Sequence, residues 1–465
     1  MEGLEISIIS YANLQNGVET LRFDSEYYLK EYVQIEKYIH ENKNRFNCFS
    51  DWGINIDCSA FYPAVEPFYG KGNIPFIRVQ DVKEVIDYND CVNIPQLPNE
   101  QYSTLKKVEL GDIVITKGGS IGFVGYITQE SYACRDLIFI KSSILSKEQS
   151  IFLYLYFSTD FAYKQLIRSS SQCAQPHLTI TLVKNLDILK GSPMLMNECA
   201  ILYSHFRQKY LASTSLYKEA EQLLLKELQI SELIQTTNSI TNKRFYDFVS
   251  SGRLDAEYYH PKYDEIIGTI AQYPYGHDKI GNLYILRDKN FLPNDNVRYK
   301  YIELSDIGVN GEISGCTYEY GSNLPSRARR IVHAGDIIIS SIEGSLQSCA
   351  IVTNEYDGAL CSTGFYVLSP QIINAETSLV LFKSAMIQAL LQRACTGTIL
   401  TAINKEEFVN ISLPIIDNDT QNSIAVIIKR STSLRQESKR LLNLAKTVVE
   451  TAIEQGESAA MELLN

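Results

Sequence analysis

A glycine-rich stretch, KGGSIG at 117–122, is the part of this sequence that most resembles a cofactor-binding motif. Successive main-chain N–H groups in such a stretch can surround a phosphate. Its spacing does not match the GxxxxGK(S/T) loop that holds nucleotide phosphates, and strand-like residues flank it. The stretch is therefore predicted to be a tight turn between two strands.

Motifs for other enzymatic chemistry are missing. The sequence has no glycine-rich adenosylmethionine loop, no (N/D)PP(Y/F) motif, no HExxH and no GxSxG, and no carboxylate pair beside a nuclease-type lysine stands out. His177, His260 and His333 are isolated and are expected to be solvated or core side chains rather than bases. We predict that the chain is not itself an enzyme.

Ten cysteines are scattered along the chain without a CxxC pair, and the six histidines do not cluster near them. This distribution argues against a zinc site and against a framework of disulfides. We expect reduced, mostly buried thiols and no metal.

Length and charge narrow the class of protein further. A chain of 465 residues is too long for one ordinary core, so at least two domains are expected. No apolar run approaches the roughly 20 residues that span a bilayer, and the N-terminus MEGLEISIIS lacks a basic signal region, so a cytoplasmic protein is expected. A net charge of −11 argues against non-specific coating of a polyanion, although a local cleft of Lys and Arg can still focus a favourable potential.

Internal similarity decides the predicted architecture, because the chain contains the same series of segments twice. The paired segments are RFDSEYY (22–28) with RLDAEYY (253–259), PFIRVQDV (75–82) with KYIELSDI (300–307), GDIVITKGGS (111–120) with GDIIISSIEGS (335–345), and LTITLVKNLDI (178–188) with LTAINKEEFVNISLP (400–414).

Each copy closes with a long stretch without Pro or Gly, at 197–228 and at 420–455, which predicts two helices of about 50 Å. Small and apolar residues recur in them with the a/d spacing of a coiled coil. The two helices are expected to pack against each other; the alternative is that each packs only on its own domain. The predicted packing residues are Leu216, Leu223, Ile424, Ile427, Leu434, Leu441 and Val448, with Phe206, Ser213, Ala220, Ile230, Ser431, Ser438, Ala445 and Ala452 on the same seam.

The rest of each copy is predicted to be mostly β. Gly-Asp followed by alternating Ile and Val indicates a turn that leads into a half-buried strand. Amphipathic helices are predicted at 26–41, 150–168, 258–271 and 376–394, and the polar residues 231–250 are predicted to be a linker. The expected fold class is α+β, with a mixed sheet or open barrel in each copy.

The motifs, in this order and twice over, resemble the specificity subunits of type I restriction-modification systems, the HsdS family. The resemblance covers nearly the whole chain. It rests on RLDAEYYHPKYD, IPFIRVQDV and YIELSDI, the paired GDIVITKGGSIG and GDIIISS segments, and LPIIDNDTQNSIA at the entry to the last helix.

The resemblance implies two target recognition domains joined by two long antiparallel spacer helices. The implied boundaries are 1–190 for the first recognition domain, 191–230 for the central spacer helix, 231–252 for a linker, 253–415 for the second recognition domain and 416–465 for the last spacer helix. If the helices are antiparallel, the repeats meet DNA in opposite senses and read two half-sites separated by base pairs that are not read.

The resemblance also implies the partners. Such subunits bind double-stranded DNA, recruit two methyltransferase subunits to form an adenine-N6 modification enzyme, and complete a restriction complex with translocating endonuclease subunits. No cofactor is expected in this chain, and S-adenosylmethionine, ATP and Mg²⁺ are expected in the partner subunits.

Candidate DNA contacts are Lys, Arg and Gln residues on predicted loops and strand ends, since these side chains neutralise phosphates or address base edges. The candidates are Lys71, Arg78, Lys106, Lys107, Lys117, Arg168, Gln172 and Gln175 in the first copy, and Arg298, Lys300, Arg327, Arg329, Arg330 and Arg393 in the second.

Two alternative functions remain at this point. One is a specificity module for another methyltransferase-based phage-defence system, and the other is a coiled-coil adaptor that does not bind DNA. Neighbouring genes distinguish the first alternative, and a DNA-binding experiment distinguishes the second.

Overall fold

The computed structural model describes residues 25–170, 177–229, 241–396 and 401–464. The chain divides into two compact units, of which the first comprises Met1–Gln208 and Ser438–Asn465 and the second comprises Lys209–Glu437. Each unit contains helices and sheets together with part of both long helices. The predicted mixed α and β fold, with two sheet-containing domains and two long helices, is confirmed.

The first unit contains two four-stranded sheets, ordered β4-β3-β8-β5 and β2-β9-β6-β7, and a ribbon of β1 and β10. Within the described residues neither sheet closes into a barrel. Its strands are β1 (Phe46–Cys48), β2 (Ile56–Cys58), β3 (Ile74–Ile77), β4 (Val92–Ile94), β5 (Lys107–Val108), β6 (Ile113–Thr116), β7 (Val124–Tyr126), β8 (Ser131–Ala133), β9 (Leu137–Ile140) and β10 (Asp187–Leu189). Its helices are α1 (Lys30–Glu41), α2 (Asn99–Tyr102), α3 (Lys147–Phe157), α4 (Asp160–Ser169), α5 (Ile180–Lys184) and the first part of α6 (Pro193–Glu227).

The second unit repeats this topology, with sheets ordered β14-β13-β18-β15 and β12-β19-β16-β17 and a ribbon of β11 and β22. Its strands are β11 (His277–Lys279), β12 (Tyr284–Leu286), β13 (Arg298–Ile302), β14 (Thr317–Tyr320), β15 (Ala328–Ile331), β16 (Ile337–Ser340), β17 (Cys349–Ile351), β18 (Leu360–Ser362), β19 (Phe365–Pro370), β20 (Cys395–Thr396), β21 (Ala402–Ile403) and β22 (Ser412–Pro414). Its helices are α7 (Phe245–Ser251), α8 (Pro261–Ala271), α9 (Ile280–Leu283), α10 (Ala375–Lys383), α11 (Ala385–Ala394), α12 (Lys405–Asn410) and the first part of α13 (Asn418–Glu454), and α14 (Glu457–Glu462) follows in the first unit.

The strand pairing confirms the duplication. In each unit one parallel pair lies inside an otherwise antiparallel sheet, with Phe76 opposite Tyr132 in the first unit and Tyr301 opposite Leu360 in the second. The KGGSIG stretch connects the antiparallel strands β6 and β7, as predicted.

The strands after the Gly-Asp turns are buried on both faces, so the prediction of half-buried strands is wrong. Every residue of β6 and β16 is buried. In β16, Ile337 and Ile339 join the core formed with the helices, whereas Ile338 joins the core formed with the other sheet. The Ile and Val side chains of these strands therefore pack into apolar cores on both faces of the sheet rather than on one.

A buried aspartate begins each of these strands. Asp112 is 1% exposed, accepts a hydrogen bond from the Glu109 N–H (2.9 Å) and pairs with Lys141. Gly111 precedes it with φ of 90°, a left-handed conformation that favours glycine. The Gly-Asp pair is therefore required by the turn.

The second unit has an equivalent buried aspartate, with a main-chain hydrogen bond and an ion pair, at the corresponding turn. Asp336 is 2% exposed, accepts from the His333 N–H (2.9 Å) and pairs with Arg287 (3.1 Å), and Gly335 has φ of 88°. The basic partner comes from a different strand end in each unit, since Lys141 follows β9 whereas Arg287 follows β12.

The long helices α6 and α13 pack antiparallel within the second unit. Lys209 pairs with Glu437 (3.0 Å), and Ser213 meets Ser431, whose hydroxyl donates to the Ser213 carbonyl (2.8 Å). Residue numbers rise along one helix as they fall along the other, which confirms the antiparallel prediction in this unit. A helix that packed only on its own domain would not make these contacts.

All the small residues of the predicted seam are buried, and most of the large ones are buried as well. Small residues let two helix backbones approach closely. Buried seam residues are Phe206, Ser213, Ala220, Ile424, Ser431, Leu434, Ser438, Leu441, Ala445, Val448 and Ala452; Leu216, Leu223 and Ile427 are partly buried, and Ile230 lies outside the described residues.

Two of the predicted helices are each interrupted once. The predicted helix at 150–168 ends at Phe157 and restarts at Asp160, where the Thr159 hydroxyl accepts the Ala162 N–H (3.2 Å). The one predicted at 376–394 restarts after Ser384, which caps α11 in the same way. A Ser or Thr cap inside an apolar run gives little sequence signal, because such residues are also tolerated within helices.

The two other predicted helices end at the predicted residues but begin later than predicted. The helices predicted at 26–41 and 258–271 begin later, at Lys30 and at Pro261, where proline suits a first helical position. In the predicted linker, residues 241–250 include the start of α7, and residues 231–240 lie outside the described part of the chain.

The described cysteines are all free thiols. Burial raises the pKa of Cys91 and of Cys199 to about 12, so both thiols stay protonated at neutral pH. Across the described ranges, no cluster of His, Cys, Asp and Glu could hold a metal ion. The described helices include none that is long and apolar enough to cross a bilayer.

Replacing Asp112 with alanine is expected to cost about 3 kcal/mol of unfolding free energy, because it leaves Lys141 and main-chain N–H groups without their buried acceptor. Asp160→Ala, which removes an exposed partner of Lys164, should cost less than about 0.5 kcal/mol. Urea denaturation of both variants checks this. Equal stabilities would show that the buried carboxylate does not hold the turn.

Candidate nucleic-acid interface

One end of the sheet β2-β9-β6-β7 forms an open cleft in the first unit. Strands β2 and β6 run antiparallel to β9, so the residues that follow β2 and β6 meet those that precede β9. The cleft has a volume of about 310 Å³ and is lined by Ser59, Ala60, Phe61, Lys117, Arg135, Asp136 and His177.

Main-chain hydrogen bonds join the segments that line this cleft. The Lys117 N–H donates to the Asp136 carbonyl (2.9 Å), and the Leu178 N–H donates to the Lys117 carbonyl (3.0 Å). A Cβ atom on Gly118 would lie 3.0 Å from the His177 ring, so a glycine allows this approach. The KGGSIG turn thus brings Lys117 beside His177.

Basic groups outnumber acidic ones around the cleft. Among the described residues that line the cleft, Lys117 and Arg135 are cations and Asp136 is the carboxylate, and His177 lies beside them. The Arg135 Nε is 3.9 Å from that carboxylate, and the two side chains are 58% and 43% exposed, so water screens their attraction. Such a cleft favours an anionic ligand even in a chain with a negative net charge.

The segment 59–62 is held on both sides. The Ser59 hydroxyl donates to the Ala133 carbonyl (2.7 Å) and accepts the Lys106 N–H (3.0 Å). The Arg135 N–H donates to the Tyr62 hydroxyl (3.3 Å). Burial raises the pKa of Tyr62 to about 12, so this acceptor remains a neutral phenol.

The other predicted contacts of the first unit differ in what they touch. Lys71 and Lys106 are exposed, and Lys106 adjoins the cleft through its main-chain bond to Ser59. Arg78 is engaged by both oxygens of Asp81 (2.9 and 3.1 Å), and Lys107 pairs with Glu130 (2.7 Å). Gln172 and Gln175 lie outside the described residues.

The second unit places four of its predicted residues on one sheet, β14-β13-β18-β15, and a fifth directly before a strand of that sheet. Arg298 and Lys300 are two residues apart on β13 and therefore lie on the same face of the sheet. The Arg298 guanidinium lies 4.6 Å from the Tyr320 ring centre, and Lys300 donates to the Glu355 carbonyl (2.7 Å). Arg329 and Arg330 belong to β15, and Arg327 precedes it.

Arg327 is the most exposed of the three clustered arginines. Its guanidinium donates to Glu303 (2.9 Å) and to the Tyr301 hydroxyl (3.3 Å) while remaining 59% exposed. The hydrogen bond to Glu303 raises the pKa of Arg327. Arg329 and Arg330 are partly buried, and the Nη1 atom of Arg330 is buried. The three guanidinium groups therefore do not form one exposed patch.

Arg168 and Arg393 occupy equivalent positions and make equivalent contacts inside their own units. The Arg168 guanidinium lies 4.3 Å from the Tyr27 ring centre and donates to the Tyr27 carbonyl (3.1 Å). The Arg393 guanidinium lies 4.3 Å from the Tyr258 ring centre and donates to the Tyr258 carbonyl (3.1 Å). Both arginines hold the repeated EYY segment against the domain, and their role as DNA contacts remains a prediction.

Sequence reasoning did not select Phe61 or Arg135 and treated His177 as isolated. Arg135 had a recognisable signal, since it precedes a strand of the same sheet as Lys117. Phe61 had none, because an aromatic residue near a strand usually indicates core.

One protein family matches part of the chain. Residues 56–189 match the family "Type I restriction modification DNA specificity domain". This span contains strands β2 to β10 and every residue that lines the cleft. No curated protein matches the sequence.

Solved structures with a similar course include the S subunit of a type I restriction-modification system from M. genitalium, with 11% identity, coverage of 86% of this chain and 92% of that chain, and a TM-score of 0.39. Another is the HsdS subunit from Thermoanaerobacter tengcongensis, with 12% identity, coverage of 89% and 94%, and a TM-score of 0.27. A third comes from work on complex assembly and conformational transition of the type I R-M system, with 11% identity, coverage of 89% and 95%, and a TM-score of 0.28.

Replacing Arg168 or Arg393 with alanine is expected to destabilise the protein by about 2 kcal/mol, because each change removes a ring contact and a charged hydrogen bond to a carbonyl. Lys106→Ala, at an exposed position, should leave stability within about 0.5 kcal/mol. Thermal and urea unfolding of the three variants checks this. Unchanged stability with weakened DNA binding in the arginine variants would instead assign these residues to DNA contact.

Proposed function

We propose that this chain, a member of the specificity-subunit (HsdS) family of type I restriction-modification systems, recognises a specific sequence in double-stranded DNA. The observation that carries the proposal is the match of residues 56–189 to the DNA specificity domain, because that span forms the basic cleft of the first unit.

The target is bipartite, with one half-site for each unit. The support for this is the duplicated topology, in which each unit has its own pair of sheets in the same strand order.

The half-sites differ because the equivalent strand ends carry different chemistry. The bond from Lys117 N–H to the Asp136 carbonyl corresponds to the bond from Ser341 N–H to the Gly364 carbonyl (2.8 Å). A cation and a carboxylate in the first unit are thus replaced by a hydroxyl and a glycine in the second, whereas Arg327 and Glu303 add a charged pair to the second.

The chain acts without catalysis of its own, as a subunit that docks two methyltransferase subunits and the translocating endonuclease subunits in the cytoplasm. S-adenosylmethionine, ATP and Mg²⁺ are assigned to those partners. Sharing the DNA contact with the partners accommodates a net charge of −11.

A gel-shift experiment with the full chain and its cognate methyltransferase tests the function directly. Sequence-specific retardation of one duplex among many, with affinity that falls as salt rises, is the expected result. Assembly with the methyltransferase without binding to any duplex would favour the adaptor alternative.

Arg327→Ala is expected to weaken binding of the cognate duplex about tenfold and to relax specificity in one half-site only, because a guanidinium held by Glu303 and Tyr301 is preorganised for a base edge or a phosphate. Arg327→Lys should lose part of the affinity, since an ammonium cannot make two parallel hydrogen bonds. Binding titrations on single-base variants of the target measure both effects.

Lys429→Ala is the matched control, because Lys429 is a 70% exposed cation of the same unit that lies on α13. Equal losses in Arg327→Ala and Lys429→Ala would mean that Arg327 contributes only diffuse charge.

Exchange of residues 253–414 for the corresponding span of a related protein is expected to change one half-site and leave the other unaltered, because each unit has its own sheets and core clusters. Sequencing of methylated sites reveals the recognised motif. Loss of both half-sites in a folded, assembled exchange protein would contradict independent reading.

A further inference from the structure

Phe61 has a large apolar side chain that is exposed to solvent, although hydrogen bonds hold the main chain on which it lies. It is 80% exposed, whereas Ser59 is 1% exposed and Tyr62 is partly buried. The Ala60 N–H donates to the Thr104 carbonyl (3.1 Å), and the Thr104 hydroxyl donates to the Phe61 carbonyl (2.6 Å). These bonds fix the main chain at Phe61 and therefore the direction of its Cα–Cβ bond.

The second unit contains an equivalent of the first of these bonds. The Phe291 N–H donates to the Arg329 carbonyl (2.7 Å). Like the bond from Ala60 to Thr104, it joins the segment after the edge strand of one sheet to the region of the edge strand of the other. The next residue is Leu292, which is 74% exposed. Each unit thus displays one large apolar side chain at the same place in its fold.

Cations line the cleft that contains Phe61, together with Asp136, and cations flank the main-chain bond next to Leu292. Phe61 shares its cleft with Lys117 and Arg135. In the second unit, Lys289 lies two residues before Phe291, which donates the hydrogen bond, and Arg327 lies two residues before Arg329, which accepts it. Both cations are exposed. A surface that combines an apolar side chain with cations is poorly suited to a wholly polar anion. It is better suited to a polyanion that also carries apolar groups.

Duplex DNA has this combination. Its phosphates attract Lys and Arg, and the C5-methyl group of thymine is the apolar feature of base edges in the major groove. We propose that Phe61 and Leu292 are specificity-determining residues, each of which contacts the methyl group of a thymine in its own half-site. The proposal rests on the DNA-reading function argued above.

Deoxyuridine isolates this contact, because it differs from thymidine only by the absent methyl group. The full chain, assembled with its cognate methyltransferase, is titrated with target duplexes in which each thymine is replaced in turn. Loss of one buried methyl contact is expected to weaken binding about fourfold at one thymine in each half-site.

The variants assign each sensitive thymine to a side chain. Phe61→Ala is expected to bind the thymine and deoxyuridine duplexes of one half-site equally while staying sensitive in the other, and Leu292→Ala is expected to do the reverse. Phe61→Leu, which keeps an apolar group, should retain sensitivity. Ile144→Ala is the matched control, since Ile144 is 62% exposed in the same unit and follows the opposite end of β9 from the cleft.

Sequence-specific binding without any thymine that is sensitive to deoxyuridine would overturn the proposal, as would unchanged sensitivity in Phe61→Ala and Leu292→Ala. Loss of methyltransferase assembly in these variants, with intact sensitivity in the complex that remains, would assign the two side chains to a protein partner and also overturn it. Failure of the wild-type complex to bind any duplex would instead contradict the proposed DNA function.

Discussion

A buried carboxylate at the start of the central strands is the interaction on which the geometry of each unit depends. Asp112 and Asp336 are almost completely buried. Each accepts a hydrogen bond from a main-chain N–H group and forms an ion pair with a basic side chain. Leaving such a group without its partners is costly, so the turn and the strand that follows adopt one arrangement. In the first unit the other end of that strand leads to Lys117, and the buried pair therefore also positions the cleft.

The two units keep the interactions that build the fold and differ in the side chains at equivalent strand ends. The Gly-Asp turns, the Ser or Thr breaks between paired helices and the arginines on the EYY segments recur at equivalent places. The basic partner of the buried aspartate changes from Lys141 to Arg287 without changing the strand order. The cleft residues Lys117 and Asp136 have Ser341 and Gly364 at the corresponding main-chain bond. This division fits the proposal that the two units read unlike half-sites.

The sequence predicted the large elements because their signals are local and repeated. The long helices begin within a few residues of the predicted positions, at Pro193 and Asn418, since heptad spacing and the absence of Pro and Gly persist over many turns. The duplication was visible for the same reason. The breaks at Thr159 and Ser384 were not, because a capping hydroxyl acts through one hydrogen bond that the pattern does not reveal.

The candidate site was harder to predict, because charge in a sequence does not reveal a partner in the fold. Arg78, selected for its charge, is engaged by Asp81, and Arg168 and Arg393 hold tyrosines of their own units. Phe61, whose type favours burial, is instead exposed beside Lys117 and Arg135.

The central claim is that one chain reads two unlike sequences at once. Mapping of N6-methylated adenines in DNA from cells that contain this chain with its cognate methyltransferase measures that claim most directly. The account predicts a single motif made of two different half-sites separated by unread base pairs, and loss of that motif when the chain is deleted. A continuous motif, or a motif that persists without the chain, would contradict it.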